Sequence, residues 1–223
     1  MSDRTSDSGG VAVIGLGRFG SHLAESLAAL GREVLAIDRN AQQVQKWSSM
    51  LDQVAQADAT DEAALRQLGL TDVPRVMVAI GASVEASVLT VLALVELGIP
   101  QIWARATSGQ HAKILSSVGA HRVIFPEAET GERLAHLIIS RTLDFVEFDE
   151  AFAVARVRVP RSLTGRPTSE SHLLKRYGVR VIGAKRAGEQ RYRYVSDEMQ
   201  LVDDTILIVE GTIEQIQRFA TLS

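Results

Sequence analysis

The sequence predicts an α/β protein in which a doubly wound, mostly parallel sheet is followed by a small α+β domain. Short apolar runs alternate with helical patterns from Val11 to Phe125, which is the order that βαβ units require. After residue 143 the pattern becomes strand-rich and alternating, and this indicates a second, different architecture.

In the first domain, strands are expected where apolar runs are short and uninterrupted, because a strand covered on both faces needs no polar side. They span residues 11–14, 34–37, 53–57, 76–80, 102–105 and 122–125. The segments between them carry apolar residues at helical spacing. Helices are therefore predicted over residues 22–30, 42–50, 62–68, a segment ending at 97, and 111–118.

The second domain begins with a change of pattern rather than with a linker. An amphipathic helix is predicted over 129–143 as a connector, which puts the domain boundary near Asp144. Strands follow at 152–159, 179–185, 191–194 and 205–209, with helices at 173–177 and 213–219. The expected organisation is a disordered tail over 1–9, a first domain over 10–143 and a second over 144–223.

Composition excludes several classes of protein. The chain has 223 residues with 24 basic and 27 acidic side chains, so the positive field that attracts nucleic acid is missing and no nucleic-acid partner is expected. Without cysteine the chain has no disulfide, thiolate metal site or cysteine nucleophile. The longest apolar run, 87–95, is far shorter than the ~20 residues of a membrane span. We expect a soluble, cytoplasmic protein.

A glycine-rich turn joins the first strand to the first helix and reads Gly15-Leu-Gly17-Arg-Phe-Gly20. In a Rossmann-like domain the first glycine permits a tight turn, the second lets backbone N–H groups approach phosphate, and the third allows close packing of helix on strand. Asp38 follows the second strand, where a carboxylate accepts hydrogen bonds from ribose hydroxyls. Its charge disfavours a 2′-phosphate despite the adjacent Arg39. The sequence therefore predicts a nucleotide site.

Three further positions each have two interpretations. Asp58 ends the third strand and either contacts the adenine or, with Thr60, caps the next helix. Gly81 follows the fourth strand and either opens the crevice or makes a plain turn. Arg18 lies inside the glycine turn, where it either reaches a terminal phosphate or remains a solvated side chain.

Catalytic groups are missing from the pattern. The histidines lie on predicted helices or loops without an acidic partner at a motif-like spacing: His22, His111, His121, His136 and His172. Histidine pairs with metal-ligand spacing and the Gly-x-Ser-x-Gly motif are absent. The sequence favours a protein that is not an enzyme, and the alternative is an NAD-dependent oxidoreductase or an NAD(H) redox sensor.

The motifs resemble a known family. In the first domain, the segments that carry this resemblance are the glycine turn, Val34-Leu-Ala-Ile-Asp38, Asp58-Ala-Thr60, Val78-Ala-Ile-Gly-Ala82, Ile102-Trp-Ala-Arg105 and Gly119-Ala-His-Arg-Val-Ile-Phe-Pro-Glu127. This domain resembles the RCK (KTN, TrkA-N) domain of regulators of Ktr/Trk-type bacterial potassium uptake. Val159-Pro-Arg-Ser-Leu-Thr-Gly165 and Lys175-Arg-Tyr-Gly-Val179 resemble the RCK C-terminal, TrkA-C-like module. The likeness covers residues 11 to about 219.

The resemblance implies a regulatory subunit with no catalysis of its own. It implies an octameric cytosolic ring of dimers that docks on a membrane potassium-translocating subunit, so that the protein is peripheral to the inner face of the membrane. ATP would activate this ring and ADP would inactivate it, and NAD(H) is a further ligand of related domains. Arg18 would face the terminal phosphate, Arg105 matches a basic pocket position, and Glu127 would lie near the phosphates at a dimer interface, where Mg²⁺ or Ca²⁺ accompanies ATP.

The predicted nucleotide-binding residues are Gly15, Gly17, Arg18, Phe19, Gly20, Asp38, Arg39, Asp58, Ala59, Thr60, Ile80, Gly81, Arg105 and Glu127. A second interpretation of Glu127 is a favourable carboxylate at the start of the connector helix. Members that bind cyclic di-AMP carry an acidic or amide residue, an arginine and an asparagine where this sequence has His172, Leu174 and Arg180. We therefore expect no cyclic di-AMP control.

Overall fold

The computed structural model describes residues 9–139, 142–149 and 152–222. They form two compact units that divide between Pro126 and Glu127, hereafter unit one and unit two. Most of the predicted tail lies outside the described residues. Within these residues, no helix is long and apolar enough to cross a membrane.

Unit one is built on a parallel sheet with the order β3-β2-β1-β4-β5-β6 among the described strands. The strands are β1 Val11–Ile14, β2 Val34–Asp38, β3 Gln53–Gln56, β4 Arg75–Val78, β5 Gln101–Arg105 and β6 Arg122–Ile124. Each neighbouring pair is parallel and in register, with Ile14 of β1 between Ile37 of β2 and Val78 of β4. The order reverses between β1 and β4, and a crevice opens at the carboxyl ends of the strands at such a point. The predicted fold class is confirmed.

Helices cover both faces of this sheet. They are α1 Arg18–Ala29, α2 Ala41–Trp47, α3 Glu62–Gln67, α4 Val84–Glu96 and α5 Gly109–Ser117. Helices α1 and α2 pack on one face with Val13, whereas α3, α4 and α5 pack on the other with Ile14. Buried residues on both faces explain why the strands are continuously apolar.

Helix α1 begins earlier than the sequence predicts. The glycine turn was expected to run through Gly20, but the helix already begins at Arg18, and Gly20 lies buried in its first turn. A Cβ at Gly20 would overlap the carbonyl oxygen of Gly15. The third glycine therefore acts inside the helix, where it brings the first turn against the loop.

Unit two contains an antiparallel sheet with the order β10-β9-β11-β8-β7 in the described part of the chain. Its strands are β7 Thr142–Asp149, β8 Phe152–Arg158, β9 Arg180–Lys185, β10 Arg193–Tyr194 and β11 Ile206–Gly211. Its helices are α6 Pro126–Ile139 (whose first residue closes unit one), α7 Thr168–Ser171, α8 Leu173–Tyr177 and α9 Ile213–Ala220. Ile216 and Phe219 of α9 pack fully buried in the core of unit two.

The predicted connector helix over 129–143 is wrong at its end. Helix α6 ends at Ile139, and Leu143 belongs to strand β7, which pairs with β8. The sequence did not predict this strand, because two register shifts in its pairing with β8 interrupt the alternation of buried and exposed side chains. Helix α6 packs with unit two, since Arg133 donates a hydrogen bond to Asp144 at 2.5 Å. The compact units divide between Pro126 and Glu127, at the start of this helix, rather than near Asp144.

Candidate functional site

Unit one has a cleft of about 530 Å³ at the carboxyl edge of its sheet. This volume lies in the usual range for small-molecule sites. Of the predicted residues, those that line it are Gly15, Gly17, Asp38, Arg39, Asp58, Ala59, Thr60, Ile80, Gly81 and Arg105. The loops after β1 to β4 and the end of β5 therefore bring together residues that are up to 90 positions apart in the sequence.

Two glycines of the turn have different physical roles in the cleft. Gly15 has φ +97°, a left-handed conformation that favours glycine, and a Cβ there would press on the backbone of Ala79 and Ile80. Gly17 has φ −67°, and a Cβ there would meet nothing within 4 Å. The fold itself therefore tolerates a side chain at Gly17, and a bare position keeps the space open for a ligand that approaches the backbone.

The amino-terminal end of α1 lies beside this loop and has no side-chain cap. Its N-cap is Gly17, and its first turn has no acidic residue. Helices α2, α4 and α5, by contrast, are capped by the side chains of Asn40, Ser83 and Ser108. The N-cap of α1 thus offers no side-chain acceptor to the first N–H groups of this helix, an arrangement that suits an anion.

The carboxylate of Asp38 is held in place by the backbone. Its Oδ2 accepts a hydrogen bond from the N–H of Leu16 at 2.6 Å, and its Oδ1 accepts one from the N–H of Asn40 at 2.8 Å. A carboxylate has about four acceptor positions, so this group can still accept hydrogen bonds from hydroxyl donors. The bond to Leu16 also joins the end of β2 to the glycine turn, which links the two motifs physically.

Asp58 lies at the end of β3 and does not cap the following helix. Its Oδ1 accepts hydrogen bonds from the N–H of Thr60 at 3.0 Å and from the Thr60 hydroxyl at 2.7 Å. The bond from the Thr60 backbone, followed by the one from its hydroxyl, lowers the pKa of Asp58. Burial opposes this shift, and the charge of Arg39 adds to it. The cap of α3 is Asp61, which accepts from Ala63. The helix-cap interpretation of Asp58 is therefore wrong.

Arg105 reaches the cleft from the end of β5 and lies against Gly81. A Cβ at Gly81 would overlap the guanidinium group, while the backbone there needs no left-handed conformation. The absence of a side chain at Gly81 thus makes room for Arg105, which is half-buried beside the cleft. The plain-turn interpretation does not explain this contact.

Four predicted residues do not line the cleft. All three of Arg18, Phe19 and Gly20 lie in the first turn of α1, where Arg18 is exposed, Phe19 packs against the core and Gly20 is buried. Glu127 is an exposed residue in the first turn of α6, in unit two. In the described part of the chain there is no group of three His, Asp or Glu side chains that could hold a metal ion.

The cleft has a wall that the sequence did not predict. The first turns of α4 contribute Ser83, Glu85, Ala86, Leu89 and Thr90. The sequence signal was available, because this helix follows the fourth strand, whose carboxyl end lies at the crevice. The sequence analysis did not assign this wall, because the mostly apolar pattern of α4 is typical of a helix buried in the core.

None of the cleft-lining residues in the described part of the chain is a histidine. His111 is buried in α5, where its Nδ1 accepts from the N–H of Thr107 at 3.3 Å. Burial lowers the pKa of His111, which favours the neutral imidazole. The side chain of His136 lies outside the described residues.

Comparison with known proteins agrees with this geometry. The TrkA-N domain family matches residues 11–126. The Ktr system potassium uptake protein C of Bacillus subtilis (strain 168) is 35% identical over 209 residues, which cover 93% of this chain and 94% of that protein.

Two solved structures are similar as well. A crystal structure of the GsuK RCK domain matches 100% of this chain and 49% of that longer chain, with a TM-score of 0.67 and 18% identity, which shows a shared fold. A crystal structure of GsuK bound to ADP is 26% identical over 60% of this chain and 35% of that one, with a TM-score of 0.51. The resemblance to the RCK family is confirmed. The chain belongs to the TrkA-N family, as an RCK-type relative of the Ktr potassium uptake proteins.

Proposed function

We propose that unit one binds an adenine nucleotide in its cleft and that the chain uses this binding to regulate a membrane potassium uptake system. The observation that carries the proposal is the Asp38 carboxylate, which two backbone N–H groups orient beside the glycine turn. This arrangement suits a ribose next to a phosphate group.

The parts of the cleft match the parts of a nucleotide. The uncapped start of α1 and the open space at Gly17 suit the phosphates. Arg105 adds a guanidinium that can bind phosphate oxygens. Asp58, whose carboxylate stays ionised, can accept a hydrogen bond from the amino group of adenine. Each of these interactions binds the nucleotide, and none of them changes it chemically.

A regulatory role follows from the family and from linkage. The relatives are named for potassium uptake, and GsuK has been solved with ADP. A ring of subunits with two shapes is shifted by a nucleotide only to the extent that the two shapes bind it unequally. In this proposal ATP favours the active shape and ADP the inactive one, in an octameric ring of dimers on the membrane subunit.

Two elements of the proposal lie outside the cleft. Arg18, which is exposed on the first turn of α1, would distinguish ATP from ADP through the terminal phosphate. Glu127 would share Mg²⁺ or Ca²⁺ with phosphate oxygens at an interface between two copies of the chain, as the resemblance to the family implies. A second copy of the chain would supply the remaining partners.

Isothermal titration calorimetry with ATP, ADP and NADH tests the proposal. Gly17→Ala should weaken ATP binding by about ten-fold or more, because its methyl group occupies the approach of the phosphates. Gly109→Ala is the matched control, since Gly109 also begins a helix and its added Cβ would also meet nothing within 4 Å. Binding of NADH without ATP or ADP would make the ligand a dinucleotide, and equal ATP affinity in all three proteins would reject the approach of the phosphates at Gly17. Failure of all three nucleotides to bind would reject the site.

Function in potassium uptake needs its own measurement. Cells that lack their own potassium uptake should grow at low potassium when this chain is expressed with its membrane partner. Gly17→Ala should abolish that growth, whereas Gly109→Ala should support it. If cells with Gly17→Ala grew as well as cells with the wild type, the role in potassium uptake would not depend on nucleotide binding.

A further inference from the structure

Thr90 is a fully buried residue of α4 that borders the cleft. Its hydroxyl group has no hydrogen-bond partner in the described part of the chain. A buried polar group without a partner has lost its bonds to water and gained none in exchange, so such groups are rare in folded proteins. A threonine in a helix can bond the carbonyl group one turn earlier, but Thr90 does not.

Ser87 provides a direct comparison on the same helix. It is also fully buried, and its hydroxyl likewise finds no partner among the described residues. Ser87 lies one turn before Thr90 and does not border the cleft. The two hydroxyls therefore match in burial and differ in whether a ligand can come near them.

Helix α4 lies on the side of the sheet opposite to α1. Val91 of α4 packs in the same core as Ala59 of the β3–α3 turn, whereas Phe19 of α1 packs on the other face. If the phosphates lie at α1 and the ribose at Asp38, the wall formed by α4 is left for the base. Leu89 makes this wall partly apolar, as a planar ring requires.

Resting on the proposed function, we propose that the Thr90 hydroxyl hydrogen-bonds the base of the bound nucleotide. A hydroxyl can donate and accept, and a purine offers ring nitrogens as acceptors. The hydroxyl is buried, but among the described residues it has no hydrogen bond to break. Turning it toward the base therefore costs a change of side-chain rotamer but no hydrogen bond within the described part of the chain.

The test uses Thr90→Val, which keeps the shape of the side chain and removes the hydroxyl, with Ser87→Ala as the matched control. Calorimetry should show ATP binding weakened by about two- to ten-fold in Thr90→Val and unchanged in Ser87→Ala. Inorganic tripolyphosphate, which has no base, should bind all proteins equally. Thr90→Ser, which keeps a hydroxyl, should bind ATP as the wild type does.

Thermal melting without ligand adds a second readout. Both Thr90→Val and Ser87→Ala should melt no lower than the wild type, because each removes a buried group without a partner. Two results would overturn the role of Thr90 and leave the nucleotide site standing. They are an unchanged ATP affinity in Thr90→Val, or an equal loss of affinity for ATP and for tripolyphosphate. Failure of the wild type to bind ATP would instead reject the proposed nucleotide site and this contact with it.

Discussion

The contact between Gly81 and Arg105 allows a mutation that changes the cleft without changing the fold. In Gly81→Ala the new methyl group would overlap the guanidinium of Arg105, which is the flexible end of a long side chain. The backbone conformation at Gly81 suits alanine. We therefore expect a folded protein whose Arg105 side chain is displaced from its position beside the cleft.

The size of the effect follows from the bond that is lost. A hydrogen bond from a guanidinium to a phosphate contributes about 1.5–3 kcal/mol, and Arg105 is half-buried, so solvent screening favours the lower end. Gly81→Ala should therefore weaken ATP binding by about ten-fold. The melting temperature without ligand should stay close to that of the wild type.

A double-mutant cycle measured by calorimetry decides whether the effect passes through Arg105. Arg105→Ala should weaken ATP binding by a similar factor, and adding Gly81→Ala to it should have almost no further effect. If the two losses were additive, the methyl group would be acting on the ligand directly. If Gly81→Ala left ATP affinity unchanged, Arg105 would not contribute to binding from its present position.

Three further predictions concern stability, pH and nucleotide selectivity. Gly20→Ala should destabilise the protein by about 1–3 kcal/mol in denaturant unfolding, because its Cβ would overlap the Gly15 carbonyl. Gly131→Ala is the control and should not destabilise it, because a Cβ there lies in open space on α6. A Gly20→Ala protein as stable as the wild type would contradict the packing argument. Burial lowers the pKa of His111 from its ordinary 6.5, so the unfolded chain takes up the proton first. Stability present above about pH 6.5 should thus fall as the pH drops through the folded pKa, and an identical fall in His111→Asn would exclude this residue as the cause. Arg18→Ala should remove the difference between ATP and ADP affinities, and an unchanged ratio in calorimetry would show that another residue reads the terminal phosphate.

Much of the candidate site was predictable because the glycine turn and Asp38 obey a rule of parallel sheets. Loops at the carboxyl ends of neighbouring strands meet at one edge, so residues at strand ends can be placed without knowing side-chain positions. The rule does not place residues within a helix. Arg18 and Phe19 belong to the same motif, but successive helical residues point in different directions, and the first is exposed while the second packs into the core.

Two features required more than local patterns. The β7 strand was hidden because its pairing with β8 contains register shifts, so its side chains do not alternate as a regular strand does. The α4 wall was hidden because a helix that contributes to a cleft and a helix buried in a core share one apolar pattern. Thr90 distinguishes a cleft helix from a core helix only through two structural facts together. It is fully buried, and its hydroxyl has no hydrogen-bond partner in the described part of the chain.

The sequence by itself determined the alternation of strands and helices, the change of architecture in the second half, and the glycine and aspartate motifs at the ends of the first strands. These follow from hydrophobic period and from glycine, which act locally. Only the tertiary structure decided that Asp61 and not Asp58 caps α3, that Gly81 is bare because Arg105 lies over it, and that Thr90 borders the cleft. Each of these depends on distances between atoms that the sequence does not encode locally, because they are set by how strands and helices pack.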